Sequence, residues 1–383
     1  MQDLGDIDRA RKGGVVSQNK QVKIYAEHLD PLALQQFNSA MEQDFSVKGA
    51  LMPDAHVGYS LPIGAVVATD GVILPSWVGF DIGCGMCALP TTFKPSQIAK
   101  NGAAIFQEIY KRIPVGFAVH PHPVKCDLNP NILTELGRKA FHGRKGFRSL
   151  GTLGGGNHFI EIGRDETARV WVIIHSGSRG VGHGIATEYM RLAEPHNKVK
   201  DGHYGFRVNS DEGKSYINDM NWTLEFALLN RKHMMHSVVH AITQYCVGEA
   251  EWGQLINRNH NHAEERGGLW IHRKGATQAE DGMLGVIPGN MRDGSFIVRG
   301  KGNPLSLFSS SHGAGRVMGR KRAKRDLNTG DFKLAMRGVV AKVDDDTLDE
   351  SPEAYKNIFE VMRMQDDLVE TLHHVIPLVN VKG

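Results

Sequence analysis

In the hexapeptide Asp81-Ile82-Gly83-Cys84-Gly85-Met86 a carboxylate and a thiol stand three residues apart. Glycines at 83 and 85 free the backbone to turn both side chains toward one point. A hard oxygen and a soft sulfur on one loop describe half of a metal site. The competing reading is a glycine turn around a cysteine that packs as a small hydrophobe, and six residues leave both open. If the loop binds metal, the fold must bring histidines to it from distant parts of the chain.

Composition removes several classes. A chain of 383 residues, 41% hydrophobic and 23% charged, is ordinary for a globular protein and unlike disordered, fibrous or membrane chains. No apolar run approaches the roughly 18 residues of a spanning helix. Met1-Gln2-Asp3-Leu4-Gly5-Asp6 lacks the basic-then-apolar pattern of a signal peptide, which points to the cytoplasm. Four cysteines (Cys84, Cys87, Cys126 and Cys246) are too few for a disulfide framework in so long a chain, and Cys84 alone has a ligand-like setting. The net charge of +3 announces no nucleic-acid binder. Residues 316–325 nevertheless gather Arg316, Arg320, Lys321, Arg322, Lys324 and Arg325, dense enough for a phosphate backbone; a solvated helix face is the alternative.

Asp30 as N-cap and Pro31 in the first turn predict an early helix with Leu34, Phe37, Met41 and Phe45 on one side. Runs at 63–68 and 72–74, joined by Thr69-Asp70-Gly71, predict a hairpin feeding the Asp81 loop. Upstream, Asp54 and His56 are candidates to support a metal ligand from behind. Helical patterns cover 96–112, 131–140, 181–193, 212–246 and 352–374, and strands are predicted at 169–174, 255–262, 268–272, 283–287 and 295–298. His233, His236 and His240 recur at helical spacing with no compact loop to gather them, and read as surface or satisfied core residues.

Three loops hold further chemistry. Gly154-Gly155-Gly156-Asn157-His158 implies a backbone that approaches something closely, without the Gly-Lys-Ser/Thr of a Walker loop. His175-Ser176-Gly177-Ser178-Arg179 ends a buried strand, where a fixed residue meets a flexible turn. His312 stands at the mouth of a glycine turn that opens the basic helix, where amides and arginine make an anion site.

Taken in order, Asp81-x-x-Cys84, Asn157-His158, His175-Ser-Gly-Ser-Arg179, His260-Asn261 and His312-Gly-Ala-Gly-Arg316 resemble the RtcB-type RNA-splicing ligases, over nearly the whole sequence from Met52 to Gly383. The resemblance implies an α+β fold, a single intertwined domain spanning 1–383 with mixed sheets around a central metal cleft and peripheral helices. It implies two Mn²⁺ ions bridged by Cys84, one also held by His158 and His175 and the other by Asp81 and His260; ligand types alone leave zinc open. His312 is implied as the nucleophile toward GTP. Guanylate contacts fall on Asn157, His158, Phe159, Ile160 and Glu161, on His260 and Asn261, on Pro288, Gly289, Asn290 and Met291, on Ser295, on His312, Gly313, Ala314 and Gly315, and on Lys382. A carboxylate at Glu161 suits guanine because it accepts from N1–H and the exocyclic amine. Arg179 and Arg316 are implied to hold RNA phosphates.

The implied reaction joins RNA 2′,3′-cyclic phosphate or 3′-phosphate ends to 5′-hydroxyl ends, in tRNA splicing or RNA repair. A monomer acting on RNA and GTP in the cytoplasm, away from membranes, is expected, and an archease-like activator is left open. The chain departs from the family pattern at Asn259 and His262, where many members carry a histidine and an aromatic, and at Gly319, where serine is frequent. It also stands at the short end of the family's lengths. The rival readings are a two-metal phosphodiesterase acting on RNA termini without ligation, and an RNA-binding protein that keeps the fold without catalysis.

Overall fold

The computed structural model describes residues 20–194, 196 and 202–383. The hexapeptide read for a signal sequence lies outside them. Among the described residues no helix is long and apolar enough to cross a membrane.

The apolar run after Arg169 forms the strand Val170–Ser176, buried along its whole length. It pairs antiparallel with Phe159–Arg164 on one side and Gly85–Thr91 on the other. Alternation along these strands divides the core. Val170, Val172 and Ile174 face outward with Ile160, Ile162, Cys87 and Leu89, against the helices Pro95–Arg112 and Asp211–Thr243. Trp171 and Ile173 face inward with Met86, Ala88, Phe159, Ile256, Val286, Ile297 and Val375. Each fully buried aliphatic side chain contributes about 1.5–3 kcal/mol before ordering costs.

The sheet runs Leu284–Pro288, Ser295–Gly300, Val369–Lys382, Phe159–Arg164, Val170–Ser176, Gly85–Thr91, Ile256–Asn259, with Val340–Ala341 paired parallel to Val369–Lys382. Its two ends curl together, and Arg258 Nε donates to the Leu284 carbonyl across the seam at 3.3 Å. The result is a near-barrel. By the same alternation Glu161, His175 and Ser295 fall on its inner face, so the barrel's mouth is polar while its middle is apolar.

A second sheet runs Gln21–Ile24, Ser46–His56, Ile63–Asp70, Leu269–Lys274, Asn261–Arg266. The chain passes from one sheet to the other at His260. The single strand expected at 255–262 is therefore two, Ile256–Asn259 and Asn261–Arg266, and the break holds a histidine between them.

Two other expectations are corrected. The hairpin at 63–74 does not form: Ile63–Asp70 is paired on both edges, by Ser46–His56 and Leu269–Lys274, so Val72–Ile73 pairs with Phe206–Arg207 instead. The C-terminal helix expected at 352–374 is a single turn at Pro352–Ala354 and a short helix at Ile358–Arg363, followed by the strand Val369–Lys382. That strand fills the gap between Ser295–Gly300 and Phe159–Arg164. Pairing on two sides outweighs the weak helical pattern of residues 369–374.

The expected helix at 96–112 is Pro95–Arg112, and that at 181–193 is Arg179–Ala193. Asp30 caps the early helix Pro31–Glu42, its carboxylate accepting from the Leu32 amide at 2.8 Å. The architecture is α+β, with mixed parallel and antiparallel sheets.

Candidate active site

The Asp81–Cys84 loop is a tight turn closed by the Cys84 amide on the Asp81 carbonyl at 3.1 Å. Gly83 has φ +74°, and a β-carbon there would lie 2.8 Å from Ala227 Cβ on the long helix. Only glycine lets the turn pack this closely. The turn is then held on both sides: the Gly83 amide donates to Asn261 O at 2.9 Å, and the His260 amide to Cys84 O at 2.7 Å.

These bonds gather the loop and three histidines. Cys84 Sγ lies 3.2 Å from His175 Nε2 and 3.5 Å from His158 Nε2. His158 Nε2 is 3.1 Å from Asp81 Oδ2, and His175 Nε2 is 3.3 Å from His260 Nε2. Two rings are oriented from behind: His158 Nδ1 faces Leu153 O at 3.0 Å, and His175 Nδ1 faces Asn157 O at 3.1 Å. A carbonyl accepts, so the proton sits on Nδ1 and the Nε2 lone pair turns to the centre.

Burial, and then the neighbouring imidazoles, push His175 and His260 well below the ordinary histidine range. Burial, and next the Asp81 charge, push the Cys84 thiol well above its own. Neutral imidazoles, a thiol and a carboxylate packed together fit a divalent cation, whose charge would invert the thiol's preference and ionise it. Cys84, His158 and His175 alone place three ligand atoms within 4.8 Å of one another.

His312 follows the strand Ser309–Ser311. Its Nδ1 is 2.7 Å from Asp54 Oδ2, and its amide donates to the same oxygen at 3.2 Å. Asp54 is fully buried on Ser46–His56. Gly315 (φ +76°) seals this contact, since a β-carbon there would stand 2.1 Å from Asp54 O. The His312 ring lies 4.8 Å from that of His260. Asp54 thus supports the nucleophile candidate rather than a metal ligand. His56 bonds back to Asp54 O at 3.0 Å and is pushed down to about 4, mainly by burial.

A cavity of about 280 Å³ opens beside His312. Asn157, Phe159, Glu161, Ser295, Gly313, Ala314 and Lys382 line it with Pro288, Gly289, Asn290 and Met291. Three buried polar atoms have no partner: Glu161 Oε1, Ser295 Oγ and Asn380 Oδ1. Orphaned groups of this kind ask for a ligand. Burial pushes the Glu161 carboxyl up to about 8.

Lys382 is buried in a strand rather than frayed, its ammonium paired with Glu350 and 5.3 Å above the Phe159 ring. Ile160 packs its side chain on the outward face, away from the cavity. Asn261 uses its side chain on the loop, donating to Asp81 O at 3.1 Å and accepting from the Gly275 amide at 2.7 Å.

The guanidinium groups of both named arginines are engaged. Arg179, with φ +60°, donates to Thr152 Oγ1 at 3.0 Å and Gly116 O at 2.8 Å. Arg316 lines the cavity while donating to Glu350 at 3.2 Å and Asp349 O at 2.6 Å.

Sequence reasoning passed over Asn230 and Arg231, a polar pair in the apolar stripe of the long helix and fully buried. Arg231 donates to Gly83 O at 2.9 Å, Ser176 O at 2.8 Å, Asn257 Oδ1 at 2.7 Å and Asn259 Oδ1 at 2.6 Å. Asn230 Oδ1 accepts from the Gly151 and Thr152 amides at 2.7 and 3.1 Å. The pair ties the metal-capable loop, the end of the His175 strand and the glycine loop to one helix. Asn259 therefore has work here as Arg231's acceptor, and His262 lies buried 3.3 Å from Arg273.

Fold and site together define a class: an α+β protein with a metal-capable thiol–imidazole–carboxylate cluster beside a histidine held by a buried aspartate. The family model described as tRNA-splicing ligase RtcB matches residues 35–141 and 135–383. The RNA-splicing ligase RtcB of Escherichia coli (strain K12) is 38% identical over 96% of this chain and 99% of its own length. Another from Mycobacterium bovis is 30% identical over 87% of this chain and 96% of its own, and the tRNA-splicing ligase RtcB of Nanoarchaeum equitans is 29% identical over 91% and 92%. The chain belongs to the RtcB family, and with that membership it is an RNA ligase.

Proposed function

We propose that this chain, as one intertwined domain, joins RNA 2′,3′-cyclic phosphate or 3′-phosphate ends to 5′-hydroxyl ends, with GTP as co-substrate and Mn²⁺ as cofactor. The observation that carries the reading is the pinning of His312 Nδ1 by Asp54, which leaves Nε2 as the free nucleophilic nitrogen beside an unfilled polar cavity. Nε2 attacks the α-phosphorus of GTP, a P–N bond forms, and pyrophosphate leaves. Asp54 steadies the positive ring that results.

An oxygen of the RNA 3′-phosphate then attacks that phosphorus, the P–N bond breaks, and the RNA ends in a diphosphate-linked guanosine. The 5′-hydroxyl attacks the RNA-side phosphorus and GMP departs. A cyclic phosphate is first opened by water to the 3′-phosphate. Cys84, His158 and His175, with Asp81 and His260, would hold the metal, which supplies Lewis-acid stabilisation of charge on the phosphoryl oxygens. Glu161 receives the guanine N1–H and amine, Ser295 and Asn380 complete the cradle, and Lys382 and the 313–315 amides face the phosphates.

The test is covalent labelling by GTP carrying a labelled α-phosphate in the presence of Mn²⁺. The native chain is expected to take the label and His312→Ala to lose it entirely. A native chain that stays unlabelled across a range of divalent metals defeats the mechanism.

A further inference from the structure

A second cavity, about 630 Å³, reaches the same cluster from another side. Asp81, Cys84 and His260 line it, and it shares Asn157 and His312 with the guanylate cavity. Of the proposed guanylate contacts only Asn157, His260, Asn261 and His312 reach it, and they leave its outer side, from Tyr59 to His183, without a role. Its rim is aromatic: Tyr59, 61% exposed, stands edge-on to Phe80 at 5.6 Å, and Phe80 stacks on His183 at 5.0 Å. Its lining also carries a spare polar group, Ser60 Oγ, which is buried at 4% exposure and has no partner. Lys274 Nζ donates to Ser76 O at 3.0 Å and to Tyr59 O at 3.3 Å, fixing the backbone that presents the Tyr59 ring.

Beyond His183 the surface turns basic. Residues 138–148 contain Arg138, Lys139, Arg144, Lys145 and Arg148 and no acid. Among the described residues none of the five is in an ion pair. Arg138 and Arg148 donate to the carbonyls of Leu133 at 3.0 Å and His120 at 2.9 Å. Lys139, Arg144 and Lys145 are exposed. The stem of Arg144 lies along the helix that carries His183, where β-carbons on Gly180 and Gly184 would meet it at 3.5 and 3.4 Å.

Aromatic rings beside a phosphate-handling centre, with Tyr59 61% exposed at the rim, followed by exposed cations that are in no ion pair among the described residues, are the two elements of a single-strand path: stacking for the base and attraction for the backbone. A base stacked on both sides inside a duplex would present no face to the rings. A free nucleotide would leave the three cations without a role.

We infer that the second cavity seats the terminal nucleotide of a single RNA strand, its base against Tyr59, Phe80 and His183, and that the strand leaves across Lys139, Arg144 and Lys145. This rests on the reading of the chain as a ligase of RNA ends and adds where an end sits. The test is equilibrium binding of short single-stranded RNAs, one ending in a 3′-phosphate and one in a 5′-hydroxyl, to the full chain over a salt series. Replacing Lys139, Arg144 and Lys145 together by alanine is expected to weaken binding and flatten the slope of log affinity against log salt by about 2, at ~0.7 per phosphate contact. Arg144→Glu should act in the same direction.

Tyr59→Ala is expected to cost roughly ten-fold in affinity for the RNA whose end enters the cavity, and Tyr59→Phe to recover it. Loss with the 3′-phosphate strand assigns the cavity to the end that accepts GMP, and loss with the 5′-hydroxyl strand assigns it to the attacking end; both support the seat. Unchanged affinity and slope in the triple variant, or unchanged affinity for both RNAs in Tyr59→Ala, overturns it. So does an effect on GTP affinity alone, which would make the cavity a second nucleotide site. Labelling by GTP in parallel separates the two readings: an unlabelled native chain whose variants still lose RNA affinity sinks the ligase mechanism and keeps the seat, and a labelled chain whose variants bind RNA like the parent does the reverse.

Discussion

Residues 316–325 and 138–148 carry similar densities of positive charge, six cations and five, and the fold uses them in opposite ways. In the first stretch Arg316 and Arg320 reach Glu350, Lys324 pairs with Asp349, and Arg322 and Arg325 pair with Asp326. Glu350 is buried at 3% exposure and also takes the Lys382 ammonium and the Tyr355 hydroxyl. This stretch closes one wall of the cavity beside His312, and through Glu350 it is tied to Lys382 of the final strand. In the second stretch Lys139, Arg144 and Lys145 are exposed beside a different cavity, and among the described residues none of them is in an ion pair. Charge density in a sequence therefore says little about charge that a ligand can meet, because acids brought in from elsewhere in the chain decide how much remains free.

The largest expected effect tests the paired half of that contrast. Glu350→Ala leaves the buried Lys382 ammonium and the Arg316 guanidinium without their counter-charge, while Arg320 keeps Asp349 at 2.6 Å, and should lower stability by about 3–5 kcal/mol, read as a drop in the urea midpoint. Glu350→Gln, which keeps the shape and one acceptor, should lose less. The Lys139, Arg144 and Lys145 alanine variant should stay within about 0.5 kcal/mol of the parent. Equal stability in all three proteins would erase the distinction between the stretches.

The pH dependence has a defined sign. Burial pushes Glu350 up, but the charges of Lys382 and Arg320 outweigh it and hold the carboxyl at about 2. A depressed carboxyl stabilises fully above its unfolded value of 4.5, and that contribution is lost as pH falls toward 2.

Glu161, in the same cavity region, is shifted the other way, to about 8, chiefly by burial. A raised carboxyl favours the fold below 4.5 and loses that advantage as pH rises through 8. Guanine donates to the ionised form, so a bound guanine must displace the proton. GTP affinity should therefore rise about ten-fold per pH unit below 8 and level off above it, measured by titration calorimetry in buffers of different ionisation enthalpy. Glu161→Gln should remove this slope along with most GTP binding, yet leave the protein more stable at pH 8 than the parent. A pH-independent GTP affinity would mean that the carboxylate does not meet the base.

Much of the site was legible because its residues sit in short, distinctive loops. The Asp81–Cys84 turn, the Gly154–His158 loop and the end of the His175 strand each carry local signals, and alternation along Val170–Ser176 shows which face His175 takes. What escaped depends on distance in sequence. Asp54 meets His312 across 258 residues, and no pattern around Asp54 marks it as that partner. Arg231 reads locally as one polar residue in a helix, while its four acceptors come from three other segments. The C-terminal strand exists because two neighbours need a partner between them, a requirement that residues 369–382 do not express by themselves. The same limit made the basic stretch at 316–325 stand out and left 138–148 unremarked.

The smallest expected effect concerns how the two basic stretches begin. The helix Glu135–Gly143, which opens the unpaired stretch, is capped by Thr134, whose hydroxyl accepts from the Gly137 amide at 3.1 Å. The helix Arg320–Asp326 starts at Gly319 with no side-chain cap. Its first turn also places Arg320 and Lys321 at the positive end of the helix dipole, so it depends on the acids at 349 and 350 to hold it. Gly319 has φ −64° and ψ 153°, ordinary for a cap, and a β-carbon there would meet nothing within 4 Å. Gly319→Ser should therefore supply an acceptor for the Lys321 or Arg322 amide and stabilise the protein by about 0.3 kcal/mol, a small rise in melting temperature with the salt slope of RNA binding unchanged. No gain at all would show that the ion pairs, rather than the cap, already fix this helix, and would strengthen the contrast with the stretch whose charges stay free.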